Sequence, residues 1–262
     1  MLHLAVNSLT PELEATVAFC RAQALGLELC HWAFPQALEN DQPQDFERQA
    51  ALVTGLPFLS VHGPFLDLIA ASRDPGIVDV SRRRHQTALS AACRLGAKTY
   101  VAHTNYNPLI RNPPYRKAFL QRSLEFWLPL ADVAGRAGVT IALENLWEAG
   151  PDLQAELIAQ GKHPHLKALF DNGHALVFSK VPAVQWIETL GAGLAHCHLH
   201  DNHGEQDEHL PVGTPGCKED WPAYVAAIRR FAPQATLVME SDRLEMNQKS
   251  LAAVQQTAAE SR

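Results

Sequence analysis

Apolar runs of five or six residues recur along the chain, and each gives way to a longer segment with helical character. The runs are Leu2–Val6, Leu27–His31, Phe58–His62, Lys98–His103, Val139–Glu144, Leu166–Asp171, Leu194–Leu199 and Ala235–Glu240. They start about every 33 residues, the spacing of a strand plus its return helix. Helix punctuation lies between them. Thr10-Pro11-Glu12 offers a cap residue, a first-turn proline and an acid, and Gly26, Gly55, Gly96 and Gly138 stand just ahead of later runs, where a helix would end. Runs so uniformly apolar suit strands buried on both faces. Eight βα units of this kind predict an α/β fold, a (β/α)8 TIM barrel. An open doubly wound sheet is the competing arrangement, but no GxGxxG or GxxxxGK follows any run. No Ser/Gly linker or low-complexity tract interrupts the sequence, so residues 1–262 read as one domain.

The ends of the runs are polar where the runs are not. The third ends at His62 (VHGPF), the fourth at His103 (VAHTN) and the fifth at Glu144 (IALEN). The sixth ends at Asp171, with His174 three residues on (LFDNGH), the seventh carries His198, and the eighth ends at Glu240 (LVMES). In a barrel the C-terminal strand ends converge on the face that carries chemistry. Singly these residues are ordinary. A lone His62 or His103 is a hydrogen-bonded core histidine, and a lone Glu144, Asp171 or Glu240 caps a helix or pairs with an arginine. Gathered on one face, they would be costly to bury without a cation. A metal site is predicted.

Residues 194–213, LAHCHLHDNHGEQDEHLPVG, hold five of the thirteen histidines. His196, His198 and His200 alternate, so on a strand they point to one face and Cys197 to the other. His196 should lie one layer deeper than His198, as a supporting or core residue. Asp207 and His209 follow in a polar loop, with His200 and His203 as further pocket candidates. Imidazole and carboxylate donors suit divalent ions, zinc first with manganese or iron as alternatives, roughly one to three per chain.

Composition adds limits. The charged fraction of 19% and apolar fraction of 47% describe a globular protein. No apolar run approaches the ~18 residues of a membrane span, and the N-terminus lacks the basic and apolar regions of a signal peptide. Five cysteines without a CxxC pair fit reduced thiols and a cytoplasmic location. The net charge of -6 argues against broad nucleic-acid binding, although three divalent ions would cancel it. The run Ser81-Arg82-Arg83-Arg84-His85 reads as a solvated helix face, and Asn107 to Pro114 as a stiff loop. His31, Trp32, Phe65, Tyr106 and Trp147 follow runs on the expected active face and are candidates for lining a substrate pocket.

With HLHDNHGEQDEHLPVG, DNGH and ALEN in place, the chain resembles the xylose isomerase-like TIM-barrel superfamily, which includes endonuclease IV and many sugar isomerases and epimerases. The resemblance covers nearly the whole chain. It implies one divalent metal held by Glu144, Asp171, His198 and Glu240, as in the isomerases. In the endonuclease IV branch it implies two more: one at His62 and His103 with Glu144 bridging, the other at His174, Asp207 and His209. Two departures stand out. The first strand end reads AVNSLTPEL, without the glycine-rich, His-bearing turn of the nucleases. Gly150 occupies the place where ketose 3-epimerases carry another glutamate, with Glu148 nearby.

The nine matched positions point first to a phosphodiester or phosphate-ester hydrolase with a trinuclear site. Clustered ions would lower the pKa of a bound water from ~16 toward roughly 7. The alternative is a one-metal sugar or sugar-phosphate isomerase or epimerase, in which Glu144 and Glu240 exchange a carbon-bound proton. Both make Glu144 and Glu240 catalytic and expect a small phosphorylated or sugar-like substrate. Abasic DNA is a further candidate under the first. A metal-storage module is a third class, for which only the ligand set speaks. No membrane association is expected, and the sequence allows no protein partner to be inferred.

Overall fold

The computed structural model describes residues 2–8, 12–39 and 43–260. Eight strands form a closed parallel barrel: β1 (His3–Ser8), β2 (Gly26–Leu29), β3 (Leu59–His62), β4 (Thr99–His103), β5 (Thr140–Glu144), β6 (Leu166–Asp171), β7 (Leu194–Leu199) and β8 (Thr236–Met239). Each strand pairs with its sequence neighbours, and β8 closes on β1 through His3↔Thr236 to Val6↔Met239. The helices are α1 (Leu13–Gln23), α2 (Pro35–Glu39), α3 (Pro43–Val53), α4 (Pro75–Leu95), α5 (Pro113–Arg136), α6 (Asp152–Gly161), α7 (Asn172–Phe178), α8 (Ala183–Leu190), α9 (Trp221–Phe231) and α10 (Leu244–Glu260). The fold is the predicted (β/α)8 TIM barrel. No helix among the described residues is long and apolar enough to cross a membrane.

Local chemistry sets the helix boundaries. Asp74 accepts from the Gly76 amide at 2.8 Å, Pro75 opens α4, and Gly96 closes it in the left-handed region at φ 70°. Some expected signals act differently. Gly26 is the first residue of β2, and Ala24 takes the left-handed position that ends α1. Thr10 and Pro11 lie outside the described residues. The 81–85 segment is only partly a solvated face. Ser81 and His85 are buried, and His85 Nδ1 lies 2.8 Å from the Tyr100 hydroxyl.

The main core fills the shell between barrel and helices, with Trp127, Trp186, Tyr100, Tyr224, Phe126 and Phe170 fully buried. Cys197 belongs to this outer core, on the side of its strand opposite His196 and His198. Inside the barrel the small apolar cluster is Val101, Ala142 and Leu169. Beside it lie buried polar side chains. Glu28 accepts from Ser60 Oγ at 2.8 Å and faces His196 Nε2 at 2.9 Å and His198 Nε2 at 2.8 Å.

At the C-terminal end, asparagine side chains bind backbone beyond the strand pairing. Asn145 donates from Nδ2 to the Asp171 carbonyl and accepts from the Asp171 amide, both at 2.9 Å. Asn172 does the same to His200, at 2.9 and 3.2 Å, and Asn202 donates to the Gly173 carbonyl at 2.8 Å. Asn145 and Asn172 stand next to the site carboxylates Glu144 and Asp171 in sequence and fix the neighbouring strand end against them. Replacing Asn145 by Ala would leave the buried Asp171 amide and carbonyl without these partners. A loss of about 1–3 kcal/mol in unfolding free energy is expected, measured by urea denaturation of the metal-free protein.

Candidate metal centre

The strand ends bring the predicted donors together. His198 Nδ1 lies 2.9 Å from Glu240 Oε2, 3.3 Å from Glu144 Oε1 and 3.6 Å from Asp171 Oδ2. Glu144 Oε2 in turn lies 3.2 Å from His103 Nε2 and 3.6 Å from His62 Nε2. Across the site, Asp207 Oδ2 lies 3.1 Å from His209 Nε2 and 3.3 Å from His174 Nε2. Among the described residues three groups at the cavity have ligand atoms within 4.8 Å of one another: Glu144, Asp171, His198 and Glu240; His62, His103 and Glu144; and His200, Asp207 and His209; a fourth, Glu28, His62, His198 and Glu240, reaches down into the barrel. His200 is thus closer to the third group than its sequence context indicated. It stacks on His209 with ring centroids 4.1 Å apart and places Nε2 3.2 Å from Asp171 Oδ2.

Hydrogen bonding fixes which ring nitrogen faces the centre. A carbonyl oxygen can only accept, so His62 donates Nδ1–H to the Gly63 carbonyl at 2.8 Å and His174 donates Nδ1–H to the Asn145 carbonyl at 2.8 Å. His198 donates Nε2–H to the Glu28 carboxylate at 2.8 Å. In the neutral ring, each leaves a bare nitrogen opposite a carboxylate oxygen. His198 Nδ1 and Glu144 Oε2 are both buried without a hydrogen-bond partner. Lone pairs set against lone pairs in a dry site require a cation, either protons on the rings or a metal ion. The donor chemistry therefore fits a divalent ion, and Glu28 supplies the outer carboxylate that orients a ligating histidine.

Electrostatics point the same way. Burial alone would raise the carboxyls and lower the imidazoles. Against it, His103 and His198 hold Glu144 well below the usual carboxylate range, and His174 and His200 do so for Asp171. Burial likewise works to lower His198, but Glu240, Glu144 and Glu28 hold it well above its ordinary value. Burial also opposes the shift at His209, which Asp207 raises to about 9.

Asp171 has two roles. Its Oδ1 accepts from the His174 amide at 2.6 Å as the N-cap of α7, while Oδ2 turns to His198 and His200. Between them, Gly173 must be glycine, because an added Cβ would lie 1.9 Å from the His200 ring. Asp201 is committed to loop structure. It accepts from the Gly213 and Thr214 amides and from Trp221 Nε1 at 2.7–3.2 Å, pinning the segment that carries Asp207 and His209.

A cavity of about 890 Å³ opens above the donors and is lined by His62, His103, Glu144, His174, Asp207, His209 and Glu240. Asp171 and His198 sit beneath it, fully buried. Phe65 and Trp147 line the cavity as expected for a substrate wall. His31, Trp32 and Tyr106 are not among its lining residues. Trp32 is fully buried in the outer core with its ring against His31 and Phe46, and Tyr106 stacks on Tyr115 and abuts Phe119, both of which do line the cavity. His203 is exposed and pairs with Glu208. Glu148 is buried away from the cavity, where it accepts from Thr104 and from the Leu146 amide at 2.7 Å, and burial raises its carboxyl.

The profile described as "Xylose isomerase-like TIM barrel" matches residues 20–259. The chain belongs to this family. Among curated relatives of the xylose isomerase-like barrel, it is 29% identical over 161 residues to the uncharacterized protein MJ1311 of Methanocaldococcus jannaschii, covering 58% of this chain and 54% of that protein. It is 27% identical over 230 residues to ML2432 of Mycobacterium leprae, covering 77% of this chain and 75% of that one. The chain thus spans little more than half the length of the first relative. Similar solved structures include a D-tagatose 3-epimerase-like protein (TM-score 0.83, 21% identity, 99% and 98% of the two chains). Another is the TTHB071 protein of Thermus thermophilus, soaked with ZnCl2 (TM-score 0.81, 27% identity, all of both chains).

Two outcomes are expected of the xylose isomerase-like centre. Glu28→Gln should weaken divalent-metal affinity about 10–100-fold while leaving the barrel folded, measured by chelator competition alongside circular dichroism. Protons compete with the ion for the same nitrogens. With His198 raised and His209 near 9, affinity should fall steadily as pH drops from 9 to 6, with protons released on binding. A pH-independent affinity would contradict this.

Proposed function

We propose that the protein is a divalent-metal-dependent sugar isomerase or epimerase. One observation carries this reading: Glu144, Asp171, His198 and Glu240 converge at the base of a cavity sized for a small molecule. The fold supports it, since structures sharing it include L-ribulose 3-epimerase and D-psicose 3-epimerase with D-tagatose. A divalent ion at these residues would polarise a substrate carbonyl and its neighbouring hydroxyl. Glu144 comes from β5 and Glu240 follows β8, three staves away, so the two carboxylates approach a bound substrate from different sides. One carboxylate would take the proton from the carbon beside the carbonyl and keep it, and the other, already protonated, would deliver its own proton to that carbon, both exchanging with solvent between turnovers.

A second reading, phosphate-ester hydrolysis at clustered ions, is favoured by the two further donor groups, at His62 and His103 with Glu144 and at Asp207 and His209 with His200. The sequence alone put this reading first. The family's epimerase structures and the cavity's apolar outer wall now favour proton exchange on a small substrate over the hydrolase and over abasic DNA.

The zinc- or manganese-loaded protein should incorporate solvent deuterium beside the carbonyl of at least one ketose in a panel, followed by NMR. Glu240→Gln should slow exchange about 10²–10⁴-fold. No exchange across the panel, together with close to three ions per chain and turnover of phosphate esters, would replace this reading with the second.

A further inference from the structure

The cavity is too large and too apolar for a bare sugar. Its volume of about 890 Å³ is on the order of thirty waters at ~30 Å³ each, and a free hexose of about twelve non-hydrogen atoms fills less than half of it. The wall changes character within one ring of the donors. Phe65 stacks on His103 with centroids 5.0 Å apart and meets His62 edge-on at 5.6 Å. Outward from Phe65 the lining includes Leu66, Ile69, Ile110, Phe119 and Trp147. Large apolar side chains are also exposed there. Of the ten exposed large hydrophobics among the described residues, five line this cavity, including Leu66 at 47% and Trp147 at 39% exposure. Apolar surface concentrated at one opening marks a binding site.

Several polar lining groups are already engaged. Asn7 Oδ1 accepts from Asn247 and the Ser241 amide, Asn107 Oδ1 accepts from the Leu109 amide, and Arg122 Nε donates to the Ala71 carbonyl. Polar side chains also line the cavity, Asp67, Arg73, Asn105 and Asp242 among them, but sugar hydroxyls set against the side chains of Phe65, Leu66, Ile69 and Trp147 would give up water there for no partner, whereas an apolar group would gain by leaving it.

We infer that the natural substrate is amphiphilic: a hydroxycarbonyl head at the metal donors, joined to an aryl or acyl group seated against Phe65, Leu66, Ile69 and Trp147. The head rests on the sugar isomerase reading above; the apolar group rests on the wall. Binding probes separate the two. Calorimetry on the zinc-loaded protein would compare D-fructose, 6-O-benzoyl-D-fructose and 6-O-benzoyl-D-sorbitol, which lacks a carbonyl. The benzoyl ketose should bind at least about 100-fold more tightly than D-fructose, and Leu66→Asn with Ile69→Asn should reduce that ratio at least tenfold. A benzoyl gain shared by the sorbitol ester supports the wall even where deuterium exchange fails on every ketose. Equal affinity for the two ketoses overturns the inference while leaving deuterium exchange as the test of the head. A stable dimer split by the same double substitution would show a second copy covering the wall, and would also overturn it.

Discussion

The site depends on a hydrogen bond made below it. Glu28, fully buried on β2, accepts from the far nitrogen of His198 and so aims the near one at Glu144, Asp171 and Glu240. Without that acceptor the ring could turn either way, and it would lose one of the negative charges that hold its pKa up. The same carboxylate also holds His196 and Ser60, so one residue ties three strands together beneath the metal donors. Burial in a closed barrel gives this arrangement its strength, because charges there are poorly screened and badly placed ones are expensive.

Much of the fold was legible because parallel barrel strands are buried on both faces and leave long apolar marks. Strands β6 and β7 have the bounds that hydrophobicity indicates, β3, β4 and β5 start one residue later, and β1, β2 and β8 differ by one or two residues at both ends. The donors were legible for a related reason: polar residues ending apolar runs fall on one face once the barrel closes. Glu28 was not, since a glutamate inside the LEL run looks like any alternating strand position until closure carries it to His196 and His198. His200 lies just past the end of β7, where strand alternation no longer says which way a side chain turns. Trp32 and Tyr106 show the converse. A large aromatic after a strand can turn back into the helical layer, and both do.

The functional preference shifted for reasons of shape. Nine matched ligand types favoured a polynuclear hydrolase as long as only residue identities counted. The structure adds a cavity whose outer wall is apolar, which suits a compact organic molecule better than a polyanionic duplex. The two additional donor groups remain chemically complete, so ion number is the quantity on which the two chemistries divide.

Those additional donors do not share one origin. His62 and His103 end barrel staves, and moving either would disturb strands paired with their neighbours. Asp207 and His209 belong instead to a loop bridged at Asp201 and Leu210 and anchored to the first residue of α9. Apart from His200, that group is therefore an attachment rather than part of the frame. Loop insertion or deletion could add or remove it in a descendant without re-forming the barrel. The four central donors, Glu144, Asp171, His198 and Glu240, would stay in place, so the number of ions such a barrel could hold can change without touching its frame.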